Sequence, residues 1–110
     1  MAEPPASIPP SDLPRVRRIS EAIFGAKHRL PMAVVIERSP PESLYAEALA
    51  DAAGTSEVQA GAELRRFAMA GLLELMPEER VPGRRGRPPK RYAKRRSHLW
   101  ALARQLAEEG

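Results

Sequence analysis

The 110-residue chain has no cysteine, which excludes disulfides, thiolate catalysis and every zinc site that depends on sulfur ligands. It has two histidines, His28 and His98, in neither an HxxxH nor an HExxH spacing, so no helical metal motif is present. No run approaches 18 apolar residues, which excludes a membrane-spanning helix. The first ten residues are acidic and proline-rich and lack a basic stretch followed by an apolar one. A secretory signal is therefore not expected, and the cytoplasm is the default compartment. No glycine-rich phosphate loop follows a strand. Glu47/Asp51 and Glu78/Glu79 read as solvated faces rather than acid–base pairs, and Met32, Met69 and Met76 as core. Neither catalysis nor a cofactor or metal is expected. The length suits one domain, or one small domain with tails.

The most informative absence is that of acid from residues 80–96. That stretch carries Arg80, Arg84, Arg85, Arg87, Lys90, Arg91, Lys94, Arg95 and Arg96 and no carboxylate, within a chain of net charge +4. Residues 41–79 are the reverse, with only Arg65 and Arg66 against eight acids. A block holding half of all the cations is expected to seek a polyanion.

Apolar spacing organises the rest. Met1–Pro10 holds four prolines, has little to bury and reads as a disordered tail. From Ser11, the recurrence of Leu13, Val16, Ile19, Ala22 and Ile23 predicts a helix capped by Ser11 or Asp12 and stopped by Gly25. A second helix is predicted from near Pro31 to before Pro40. Its β-branched run Val34–Ile36 would also suit a buried strand, but Pro31 and the Glu37-Arg38 end favour the helix. Ser39-Pro40-Pro41-Glu42 matches a capping box and predicts a helix burying Leu44, Tyr45, Ala48, Leu49, Ala52 and Ala53, ending at Gly54. Ser56-Glu57-Val58-Gln59 is a second capping box, opening a helix over 57–73 with Ala60, Leu64, Phe67 and Ala68 on one face. Two capped helices joined by Gly-Thr-Ser form a helix-turn-helix. Leu73–Met76 and Arg91–Ala93 then predict two strands around a Pro/Gly-rich basic loop, and Ser97 caps a last helix carrying Leu99, Trp100, Leu102, Ala103 and Leu106. The expected fold is mainly α with a small β-hairpin.

The segment Leu49-Ala50-Asp51-Ala52-Ala53-Gly54-Thr55-Ser56, continued by Leu64-Arg65-Arg66-Phe67 and Ala70-Gly71-Leu72-Leu73, resembles the L-A-x-x-h-G-x-S … L-x-x-L-x-x-x-G-L core of winged helix-turn-helix transcriptional regulators of the ArsR/MarR type. Ile23-Phe24-Gly25 through Ile36 resembles the helices leading into that core, and Tyr92 and Trp100 stand where such proteins place a strand tyrosine and a packing aromatic. The resemblance spans about residues 20–105. It implies a bacterial DNA-binding regulator, its helix 57–73 in the major groove and the basic hairpin, as a wing, on the flanking backbone or minor groove.

The residues can be read for that task. With Ala60, Leu64 and Phe67 inside, the outward positions are taken as Glu57, Gln59, Ala62, Glu63 and Arg66. Gln59 would pair with adenine, Glu63 with cytosine N4, and Arg66 with guanine or a phosphate; Ser56 and the first-turn amides would hold a phosphate. Alternatively, Gln59 completes its capping box and Glu63 pairs with Arg65 or Arg66. In the wing, Gly83–Arg91 contains Arg-Gly-Arg-Pro, the core of an AT-hook. Arg84, Arg85, Arg87, Lys90 and Arg91 are the candidate contacts to a narrow A·T-rich minor groove; the bland reading is a basic loop that binds any polyanion. A homodimer is expected through Leu13, Val16, Ile19 and Ile23 or through Leu99, Trp100, Leu102 and Leu106, with a protein or small ligand as effector. Two further readings stay open, a non-specific architectural DNA-binding protein and a module that docks on protein.

Overall fold

In the computed structural model, which describes residues 7–77 and 89–109, the chain is built around one helix. The elements are α1 (Leu13–Phe24), α2 (Arg29–Arg38), β1 (Leu44–Tyr45), α3 (Ala46–Ala53), α4 (Glu57–Met69), β2 (Leu73–Leu75), β3 (Arg91–Lys94) and α5 (His98–Glu109). Leu30 through Ile36 of α2 are buried without interruption. A helix apolar on every side must be enclosed, and α1, α3, α4 and α5 all pack against it. Pro31 falls in the first turn, where an absent N–H breaks no helical bond. At the other end, Ser39 Oγ donates to the Val35 carbonyl at 2.6 Å, and Lys94 Nζ donates to the Glu37 carbonyl at 3.0 Å.

Ser39 therefore closes α2 and does not open the next helix, as its capping-box pattern predicted. Leu44 and Tyr45 are drawn into a three-stranded antiparallel sheet, order β1-β3-β2, opposite Tyr92 and Arg91. That pairing buries Leu44 completely and delays α3 to Ala46. On the other side of β3, Leu73, Glu74 and Leu75 face Lys94, Ala93 and Tyr92, so the expected hairpin strands are present and gain a third.

The turn between α3 and α4 follows its sequence closely. Gly54 takes the left-handed conformation at φ 67°, and Ser56 Oγ accepts from the Gln59 backbone N–H at 3.1 Å. The helix 57–73 is shorter than expected and ends at Met69. Gly71, at φ 80°, turns the chain, and the Leu72 N–H closes on the Phe67 carbonyl at 2.9 Å, which frees Leu73 for β2. The supposed tail also needs correction. Ile8 is buried, and its N–H donates to the Ala52 carbonyl at 3.0 Å, while residues 1–6 lie outside the described part.

The stripes of α1 and α5 find partners inside the chain. Val16 and Trp100 are 2% and 5% exposed, and Trp100 meets Phe67 edge-on at 5.6 Å while its indole N–H donates to the Arg95 carbonyl at 2.8 Å. Neither is available to a dimer seam, because both are covered within the chain: α1 and α5 pack on α2 and on each other, and Phe67 of α4 lies against Trp100. Leu13, Ile19, Leu99 and Leu106 are half-buried against the same core. Of the eight candidate residues, Ile23 and Leu102 stay substantially exposed.

Candidate nucleic-acid interface

The geometry of α4 follows from counting 3.6 residues per turn. Taking Ala60, Leu64 and Phe67 as the buried stripe, the opposite stripe is Val58, Ala62, Arg65 and Met69. The accessibilities agree: Val58 is 81% and Met69 88% exposed, Arg65 is exposed and Ala62 half-buried. Gln59, Glu63 and Arg66 form a flanking stripe that turns toward α2. Gln59 remains exposed at its start, as do Ser56 and Glu57. Val58 and Arg65 were missed by sequence reasoning, although the same spacing that identified the core identifies its opposite face.

Glu63 corrects the expectation of an outward base-reading carboxylate. It is 2% exposed, with Arg29 Nε donating to Oε2 at 3.0 Å and Arg66 Nη1 donating to Oε1 at 2.8 Å. An unpaired carboxylate there would cost several kcal/mol, and Arg29, placed at the first position of α2, supplies the compensating charge. Arg29 Nη1 also donates to the Phe24 carbonyl at 3.2 Å. The pairing with Arg66 is the alternative the sequence allowed; Arg29, 34 positions away, carried no local signal. Arg66 itself stays 57% exposed at its side chain and keeps donors unused. Beside this group, Phe24, Phe67, Leu72 and Leu99 with Arg29 and Arg66 line a cavity of about 320 Å³. His28, just before α2, has its pKa lowered from 6.5 by burial first and then by the Arg17 and Lys27 charges, with Glu63 opposing.

The cationic stretch divides. Arg84, Arg85 and Arg87, with the Arg-Gly-Arg-Pro motif, lie outside the described residues. Arg91 is half-buried and its Nη1 donates to the Glu42 carbonyl at 2.8 Å. Lys94 caps α2, as described, so both work inside the fold. Lys90, Arg95 and Arg96 are exposed. Lys90 lines a cleft of about 460 Å³ with Glu57, Gly61 and Arg65 of α4 and Glu47 and Asp51 of α3. Lys90 is thus the cation of the basic stretch that adjoins α4, and three carboxylates share the cleft with it and Arg65.

Among the described residues no group of His, Asp or Glu side chains is placed to hold a metal ion, and no helix is long and apolar enough to cross a membrane. No protein-family model matches the chain, and no curated protein matches it.

Proposed function

We propose that the chain is a winged helix-turn-helix DNA-binding protein that regulates transcription, with α4 in the major groove and the basic segment between β2 and β3 on the adjoining backbone or minor groove. The observation that carries this reading is the shared cleft of Lys90 with Glu57, Gly61 and Arg65, which brings one cation of the basic stretch beside the helix that would enter the groove. The helix–turn–helix of α3 and α4, followed at once by an antiparallel hairpin, supports it as well. The reading includes a homodimer using Ile23 and Leu102, testable by sedimentation velocity, and seats a small-ligand effector in the cavity beside Glu63.

Selection of genomic duplex fragments by the chain at two salt concentrations tests the reading. A recovered sequence motif supports a regulator. The nine cations of residues 80–96, less Arg91 and Lys94, leave seven for phosphates, so log K falls with log salt at a slope of about −5 to −6 if six or seven engage. Gln59→Ala is expected to relax preference at one position, and Arg87→Ala to weaken binding to all fragments.

Glu47, Asp51 and Glu57 in the cleft repel phosphate and favour a second reading, an architectural protein without operator preference. Excess random duplex would then displace every fragment equally. Affinity unchanged by Arg85→Ala and Arg87→Ala would instead point to docking on protein.

A further inference from the structure

The outer face of α4 is apolar where a reader of hydrogen bonds would be polar. Val58 is the second residue of the helix and 81% exposed. Ala62 lies one turn further along the same stripe, about 6 Å away along the axis. Neither side chain can donate or accept a hydrogen bond, and leaving a large β-branched residue in water without a contact gains nothing. Arg65 continues the stripe and reaches the Lys90 cleft. Two apolar groups followed by a cation match a surface that is apolar in spots and anionic at its edge. In the major groove the only apolar spot that distinguishes a base pair is the thymine C5-methyl, and the N-terminal residues of a recognition helix are those that meet base edges.

We propose that Val58 is a specificity-determining residue that reads a thymine methyl, with Ala62 against a second methyl one or two steps along the same groove and Arg65 on the flanking phosphate. The inference rests on the DNA-binding reading and names what that helix recognises. It assigns sequence preference to Val58 and Ala62 in addition to the polar Gln59.

The test uses the full chain and a duplex obtained by the selection above, with each thymine replaced in turn by uracil, which removes the methyl and leaves Watson–Crick pairing intact. Binding is followed by fluorescence anisotropy. Loss of a contacted methyl is expected to weaken binding about three- to fivefold at one or two positions. Val58→Ser should bind the thymine and uracil duplexes alike at the position it reads, while keeping the salt slope of the parent chain. Val58 is too exposed for that substitution to threaten folding, and Ala62→Ser provides the same comparison at the second position. Indifference of the parent chain to every uracil, with duplex binding intact, overturns the inference alone; so does sensitivity to one and the same uracil that persists undiminished in both serine variants. A parent chain that binds no duplex at all overturns the DNA-binding reading with it.

Discussion

Replacing the buried carboxylate by Glu63→Gln removes the charge that holds Arg29 and Arg66. The two bridges are unequal. Arg66 is 57% exposed at its side chain and lies one turn from Glu63, so water screens it and its bridge is worth about 0.3–0.5 kcal/mol. Arg29 is 28% exposed against a carboxylate that is 2% exposed, so its charge-assisted hydrogen bond contributes about 1.5–3 kcal/mol. Glutamine keeps one acceptor but turns an N–H₂ toward a guanidinium. The expected loss is about 2–3 kcal/mol. Urea denaturation followed by fluorescence of Trp100, the only tryptophan, reads it as a midpoint lowered by about 2 M at unchanged slope. Arg29→Ala should cost about the same, and Arg66→Ala less than about 0.5 kcal/mol. A Glu63→Gln change within 0.5 kcal/mol of the parent, or equal losses at Arg29 and Arg66, would refute the argument that burial decides which bridge counts.

Gly54→Ala should destabilise by about 2 kcal/mol in the same assay, since a Cβ there meets the Leu13 side chain in addition to the left-handed φ of 67°. Gly71→Ala, at φ 80° with open space around it, should cost about 1 kcal/mol, so near-equal losses would discount the Leu13 contact. His28, its pKa lowered from 6.5 by burial and by Arg17 and Lys27, is protonated more readily in the unfolded chain. Stability from this group is complete above about pH 6.5 and declines as pH falls from there through the lowered pKa; denaturation midpoints across that range should drop in the parent and flatten in His28→Gln. Ile8→Ala should cost about 2–4 kcal/mol in urea denaturation, as expected of a buried side chain, where a disordered tail would lose nothing.

Much of the architecture was legible because its signals are local. The α3–α4 turn depends on a glycine with positive φ and a serine hydroxyl three residues from the amide it accepts, and both are written in consecutive letters. The helical stripes of α1, α4 and α5 repeat at their own period for the same reason. The errors came where a local signal lost to a distant partner. Ser39-Pro40-Pro41-Glu42 is a sound capping box, yet Leu44 and Tyr45 gain more by pairing with β3, nearly fifty residues away, and the helix waits until Ala46. Ile8 looked like part of a tail because the Ala52 carbonyl that takes its N–H belongs to α3. The candidate interface divides the same way: the stripe of Val58, Ala62, Arg65 and Met69 could have been counted from Ala60, Leu64 and Phe67, whereas the withdrawal of Glu63 could not.

Composition and periodicity by themselves determined the number and order of the helices and that half of the positive charge falls in residues 80–96. Those properties depend on neighbours within a turn or two, or on simple counting. Only the tertiary structure decided which charges are spent inside the chain. Arg91 takes the Glu42 carbonyl at the surface, whereas Arg29 neutralises Glu63 and Lys94 closes α2 because desolvation penalises an unpaired charge or carbonyl wherever packing happens to bury it, and packing is a property of the whole chain.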